Sequence, residues 1–392
     1  MSINETLAKT FMEIADSIER GSFKSRIKVG LTLLGSEHGV ENLLEGAHIA
    51  ASRFPEMDIV LIGPKVETKL EQVLVESEDE MYKVMEEKLD LGEIKACVTM
   101  HYNFPIGVST VGRVITPGRG KDMLIGTTTG TSATSRVEAM AKNAIYGIIT
   151  AKSLGIEKPT VGILNVEGAR SVERILKEMK EKGYEIEFSE SQRSDGGCVM
   201  RGNDLLQGVP DFMVTDSLTG NILMKMFSAA NTGGDYEATG YGYGPGLGEN
   251  YNRNILILSR ASGVPVVANA IRYAYEIAAG EINEKAKEEF KKINKVGFNE
   301  IIKKVCKTGN EEKVEEIEAP KKEVVTGMIS GVEIMELENA VRVLWKAGVY
   351  AESGMGCTGP IILVNDEKLT EAIGILAKAG FTSEKGETCW EI

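Results

Sequence analysis

Cys357 stands in the stretch Ser353-Gly-Met-Gly-Cys-Thr-Gly-Pro-Ile361, directly before the apolar run Ile361-Ile-Leu-Val364. The glycines at 354, 356 and 359 strip side-chain bulk from both sides of the thiol. Successive amides in such a loop can lower a thiol pKa and hold the oxyanion of an acyl intermediate. A thiolate attacking an activated acyl group gives a thioester, which stays reactive toward a second nucleophile. The competing reading is an inert small residue in a tight turn. Cys97 falls inside a strand pattern and reads as core, while Cys198, Cys306 and Cys389 have no comparable setting.

Other stretches offer a pocket for an anionic second nucleophile. In Val214-Thr-Asp-Ser-Leu-Thr-Gly-Asn-Ile-Leu-Met-Lys225, Asp216 falls at a strand end, Asn221 near a helix start and Lys225 one turn further on. These three side chains are expected to converge on one anionic group, with Gly220 letting backbone amides approach. The stretches HYNFPIGVSTVGR and GTTTGTSATSR each place small hydroxyl residues before an arginine: Ser109 and Thr110 before Arg113, Thr131 and Ser132 before Arg136. Amides, hydroxyls and a guanidinium can surround a phosphate without a basic surface, although the same hydroxyls serve equally as helix caps. The run GYGYGPGLGENYNR, residues 240–253, reads either as a loop that folds over a ligand or as one left mobile. His38, in the turn GSEHG, is available for a ligand or for a structural hydrogen bond.

The elements that would position these groups alternate in type. Ile27–Leu34 has the β-branched and leucine content of a strand, and the chain then turns through Gly35 and Gly39 into a helix pattern. Further strand patterns run over 58–62, 95–99, 121–126, 160–165, 211–215 and 255–258, with helical periodicity such as Val172–Lys182 between several of them. The expected fold is α/β, a mostly parallel layered sheet with helices on both faces, and ligands in such sheets collect outside the carboxyl ends of the strands.

Residues 1–25 carry Leu7, Phe11, Ile14 and Ile18 at helical spacing and read as an amphipathic helix. Residues 26–280 form the expected catalytic domain. The Lys/Glu-rich text of 281–324 reads as a solvated helix and linker, and 325–392 as a small α/β appendage that delivers Cys357.

Composition limits the function. A formal net charge of −13 argues against a nucleic-acid or anionic-membrane surface. Five cysteines without a C-x-x-C pair fit neither a disulfide framework nor a four-cysteine zinc site, so reduced thiols in a cytoplasmic protein are expected. The P-loop pattern G-x-x-x-x-G-K-[ST] is missing, which weakens an ATP reading. No apolar run reaches membrane-spanning length. No metal or other cofactor is required.

These residues carry a resemblance. IKVGLTLLGSEHGVENLLEGA, VGILNVEG and PDFMVTDSLTGNILMKM resemble, in order, segments of the phosphate acyltransferases of phospholipid synthesis. That family is similar in fold to phosphate acetyltransferases and to the isocitrate dehydrogenase group. With the block after residue 325, including SGMGCTGPIILV, the chain resembles the alpha subunits of component C of the glycine, sarcosine and betaine reductase complex. The resemblance implies that Cys357 takes an acetyl group as a thioester and that inorganic phosphate then attacks it, giving acetyl phosphate. It matches Asp216, Asn221 and Lys225 to the acyltransferase motif. It also implies a condensing-enzyme-like beta subunit and the selenoprotein component A as partners, within an oligomer. The alternatives are a coenzyme A-dependent phosphotransacetylase, in which Cys357 is dispensable, and a non-catalytic subunit that positions the partners.

Overall fold

The computed structural model describes residues 26–193, 196–308, 319–332, 336–356 and 359–382, together with Phe11 and Ala15. In chain order the first elements are β1 (Ile27–Thr32), α1 (Gly39–Arg53), β2 (Met57–Gly63), β3 (Glu71–Leu74), α2 (Glu78–Asp90) and β4 (Ala96–Thr99). They are followed by β5 (Val108–Ile115), β6 (Asp122–Thr131), α3 (Arg136–Ser153), β7 (Thr160–Leu164), α4 (Ala169–Glu181), β8 (Glu187–Phe188), β9 (Val199–Met200), α5 (Gly202–Gln207) and β10 (Phe212–Val214). The domain continues through α6 (Ser217–Ala229), β11 (Gly244–Leu247), β12 (Ile255–Ile257), α7 (Val264–Ala279), α8 (Ile282–Lys295) and α9 (Phe298–Thr308). The C-terminal part holds β13 (Gly327–Ser330), α10 (Leu337–Lys346), β14 (Ala351–Gly356), β15 (Gly359–Val364) and α11 (Leu369–Lys378).

The main sheet has the strand order β3-β2-β1-β4-β12-β11-β5-β6-β10-β7-β8, with β9 also on β7. It consists of two parallel blocks. In the first, β3, β2, β1, β4 and β12 run parallel. In the second, β6, β10, β7, β8 and β9 do. Between them every pairing is antiparallel: β12 to β11, β11 to β5 and β5 to β6. Three successive reversals mean that the second block runs opposite to the first, so their carboxyl ends face opposite edges of the sheet.

Helix periodicity explains the layers. In α1, Leu43, Gly46, Ala47 and Ala50 form one buried stripe, whereas α3 is buried nearly all round, as a helix with apolar residues on every side must be. Two expectations need correction. The glycine-rich run is neither lid nor mobile loop, because its centre is β11, held between β12 and β5 with Tyr241 and Tyr243 buried. Gly244 explains why glycine is needed there: its φ is +83°, and a Cβ would stand 1.7 Å from the Val111 carbonyl oxygen.

The charged segment after residue 280 is no solvated linker over its first part. Phe290, Ile293, Phe298, Ile301 and Ile302 lie in the same apolar cluster as the sheet. Apart from Glu289, which is buried, the charges of α8 lie on its outer face while a stripe of large apolar residues faces inward, which alternating charge signs conceal.

The appendage is a three-stranded antiparallel sheet, β13-β15-β14, covered by α10 and α11 around its own cluster of Ile329, Val341, Leu344, Ile362 and Leu376. Arg174 of α4 ties it to the main domain, donating to the carbonyl oxygen of Gly380 at 2.9 Å and to Glu336 Oε1 at 3.0 Å. Among the described residues, no helix is long and apolar enough to cross a membrane.

Candidate functional site

In the first block β1 is flanked by β2 and β4, so the chain reverses direction of winding there. The crevice outside the carboxyl ends of β1 and β4 is therefore where an open α/β sheet accepts ligands. Three segments rim it: the turn 35–39 after β1, residues 100–101 after β4, and 259–263 after β12. They are tied together, since Glu37 N donates to the Arg260 carbonyl oxygen at 2.9 Å and Asn42 Nδ2 to that of Ser262 at 3.0 Å. His38 is exposed on this rim and meets the Tyr236 ring edge-on, with centroids 6.0 Å apart.

Lys225 reaches this rim from α6. Its ammonium donates to Glu237 Oε1 at 2.7 Å and to Ser259 Oγ at 2.6 Å, and its side chain remains 47% exposed. Glu237 is 1% exposed and also accepts from Tyr243 Oη at 3.0 Å and Ser262 Oγ at 2.9 Å. Burial, reinforced by the neighbouring Glu237 carboxylate, raises the Tyr243 pKa, so its hydroxyl stays a donor.

Asn221 lies four residues before Lys225 and shares its helix face; its Nδ2 donates to the Thr128 carbonyl oxygen at 3.0 Å. Gly220 makes that approach possible, because a Cβ there would meet the Thr127 carbonyl oxygen at 1.8 Å.

Asp216 does not join Asn221 and Lys225. It is the N-cap of α6: Oδ1 accepts from the amides of Leu218 and Thr219, each at 3.1 Å, and Oδ2 accepts from Thr219 Oγ1 at 2.7 Å. Nine residues separate Asp216 from Lys225, a rise of about 13 Å along a helix. Asp216 instead faces Arg136 Nη2 at 3.8 Å, and Arg136 pairs with Glu167. This second cluster lies at the carboxyl end of the second block, whereas Lys225 sits at that of the first.

Most of the remaining expected phosphate ligands have other partners. Arg113 is 12% exposed, sits 2.5 Å from both Asp122 and Glu276, and stacks on the Tyr241 ring at 4.0 Å. Burial opposes its charge, but Glu276 and Asp122 outweigh that and raise its pKa. Its charge is thus balanced inside the protein.

Ser109, Thr110 and Ser132 are buried. Ser109 Oγ and Ser132 Oγ both donate to Asn143 Oδ1, at 3.0 and 2.8 Å, and Thr110 Oγ1 bonds Thr128 Oγ1 at 2.6 Å. Ser109 and Ser132 thereby tie the strands to Asn143 of α3, and Thr110 pairs within the β5–β6 hairpin, a demand that outranks ligand binding for buried groups. Thr131 is exposed at the end of β6, where its carbonyl oxygen accepts from Gly107 N at 2.8 Å.

Cys357 lies outside the described residues. The strands that flank it are antiparallel, with Gly356 opposite Gly359. Gly354, Gly356 and Gly359 also meet the G-x-G-x-x-G spacing, but in a hairpin rather than in the strand-to-helix turn that dinucleotide binding uses. Cys97 is fully buried on β4, as expected of a core residue. No group of three or more His, Cys, Asp or Glu side chains among the described residues could hold a metal ion.

Sequence reasoning overlooked Glu237, Ser259 and Ser262. A signal existed for two of them: Ser259-Arg-Ala-Ser-Gly263 follows a recognised strand, and polar loops after strands are the places to search. Nothing local marks Glu237.

Residues 27–363 match the family described as fatty acid synthesis protein. A phosphate acyltransferase from Lysinibacillus sphaericus (strain C3-41) is 27% identical over 237 residues, which cover 51% of this chain and 70% of that protein. A branched-chain phosphotransacylase from Enterococcus faecalis V583 superposes on 64% of this chain and 99% of its own, with a TM-score of 0.45 at 14% identity. The alpha subunit of component C of the glycine/sarcosine/betaine reductase complex from Peptoclostridium acidaminophilum is 64% identical over 370 residues, 94% of this chain and 96% of that protein. The chain belongs to the fatty acid synthesis protein family and, within it, to the component C alpha subunits, which are related to phosphate acyltransferases.

Proposed function

We propose that the chain transfers an acetyl group from a thioester on Cys357 to inorganic phosphate, releasing acetyl phosphate. The observation that carries this reading is the half-exposed Lys225 ammonium, fixed by Glu237 and Ser259 beside the crevice at the ends of β1, β4 and β12. A phosphate dianion placed there meets a positive charge and, from Asn221, a side-chain carbonyl to accept its hydroxyl proton in a hydrogen bond. A phosphate oxygen attacks the thioester carbonyl carbon. The tetrahedral adduct then collapses, the C–S bond breaks, and the Cys357 thiolate leaves. Proximity supplies much of the rate, since a well-oriented attack is worth roughly 7–11 kcal/mol. Asp216 and Arg113 serve structure in this scheme.

In keeping with a family of complex subunits, the chain works with partners: a condensing-enzyme-like beta subunit and the acyl-carrying selenoprotein. The deciding experiment is incubation of the purified chain with acetyl phosphate and peptide mass spectrometry. A gain of one acetyl group on the Cys357 peptide, lost together with transfer in Cys357→Ala, supports the thioester route. Transfer that needs coenzyme A and leaves no adduct would replace it with a phosphotransacetylase, and absence of both leaves a positioning subunit.

A further inference from the structure

We infer that Glu237 is a positioning residue that aims Lys225 at its anionic ligand and, through the same carboxylate, locks the two blocks of the sheet together at the crevice. The inference rests on the reading of Lys225 as the phosphate-holding cation. Glu237 follows α6, which belongs to the second block, yet its backbone is threaded onto the turn after β12 of the first. Glu237 N donates to the Ala261 carbonyl oxygen, and Gly263 N donates to that of Glu237, both at 2.9 Å. Its side chain repeats the link. Oε2 accepts from Ser262 Oγ on the first block, while Oε1 accepts from Lys225 on α6 and from Tyr243 Oη just before β11.

A carboxylate with 1% exposure is costly unless its charge is matched, and here one cation and two hydroxyl donors match it. The consequence falls on Lys225. An ammonium has three N–H donors, and two are committed, to Glu237 at 2.7 Å and to Ser259 at 2.6 Å. One donor remains for a ligand, and it must point away from both partners. A free lysine on a helix surface would sample many rotamers. This one is held in a single orientation, so part of the entropy lost on binding is removed beforehand.

The test uses the full chain and two readouts. The first is exchange of labelled inorganic phosphate into acetyl phosphate, which reads the proposed activity. The second is trace acetylation of Lys225 by acetic anhydride, followed by peptide mass spectrometry, which reads the lysine whether or not the chain is an enzyme. In Glu237→Gln the KM for phosphate rises roughly tenfold or more while kcat falls less than about threefold, because a bond to the ground state and transition state alike is lost. Acetylation of Lys225 in that variant becomes about threefold faster or more, since the amine is no longer held against the carboxylate. Tyr243→Phe, which removes a different donor to the same carboxylate, shifts both readouts in the same direction by less. If the parent shows no exchange, the enzymatic reading has failed and the acetylation rates alone judge the clamp. Folded Glu237→Gln and Tyr243→Phe variants that acetylate Lys225 at the parental rate would overturn it. So would a fall in kcat at unchanged KM.

Discussion

The backbone of Gly220 lies against the carbonyl oxygen of Thr127, so close that a Cβ at position 220 would stand 1.8 Å from it. The helix that carries Asn221 and Lys225 is thereby seated directly on the middle of β6. Gly220→Ala must push the two apart, because the obstacle is backbone and cannot rotate away. The expected cost is about 3 kcal/mol of stability, measured by urea denaturation, with a raised KM for phosphate in the variant that still folds.

Arg113 separates a structural from a ligand-binding role cleanly. Replacing it by Met removes the cation shared by Asp122 and Glu276, although both stay partly exposed and Glu276 keeps Arg272, and should destabilise the chain by about 1–3 kcal/mol. Phosphate KM in the folded Arg113→Met variant should stay at the parental value. A selective loss of phosphate affinity at unchanged stability would return Arg113 to the site.

The α8–α9 segment belongs to the main core, with Phe290 9% exposed in the central cluster. Phe290→Ala is expected to cost about 3–5 kcal/mol in a denaturation experiment. A chain ending at residue 280 should fail to give a cooperative transition.

The alkaline limb of stability follows from the buried thiols. Burial, reinforced by Glu173, pushes the Cys198 pKa up to about 12, and burial raises that of Cys97 as well. Below the unfolded thiol value near 8.5 both states keep their protons. Above it the unfolded chain releases them and the folded chain does not, so stability falls as pH rises from about 8.5 toward 12. The melting temperature should decline across that window, and neither thiol should react with a disulfide reagent at pH 8 before unfolding.

The acid limb has the opposite origin. Burial alone would raise the Glu289 pKa, but bonds from Lys152, Lys292 and Tyr184 outweigh it and lower the value. The stabilisation is present above the unfolded carboxylate range and is lost as pH falls through it. Glu289→Gln should lower the melting temperature at pH 7 and flatten its fall toward pH 3.

Much of the fold was legible because burial writes itself into local text. Runs such as Ile27–Thr32, Thr160–Leu164 and Ile255–Ile257 are too apolar and β-branched to be anything but strands, and each was expected within a residue or two of its observed bounds. Gly380, with φ +84°, follows α11 where a helix-ending glycine was expected. Several strands escaped notice, β3, β5, β8, β9, β11, β13 and β14, and two of them show why. Half of β5 carries polar or glycine residues because its hydroxyls pair inside the sheet, and β11 reads Gly-Pro-Gly-Leu because the Val111 backbone at Gly244 and the Phe104 ring at Gly246 leave no room for a Cβ.

The site divided along the same line. The sequence by itself determined the chemical inventory: a thiol among glycines, an amide and an amine one helical turn apart at Asn221 and Lys225, and hydroxyls in clusters. Periodicity guarantees that last pairing, since residues four apart share a helix face. Only the tertiary structure decided which groups meet. The three reversals at β11 and β5 set the two blocks head to tail, which brings Lys225, at the far end of α6 from Asp216, beside Ser259 at the carboxyl end of β12 and places Glu237 under its ammonium. Local text cannot specify that, because one of the three reversals, β11 on β5, is settled by hydrogen bonds between segments more than a hundred residues apart.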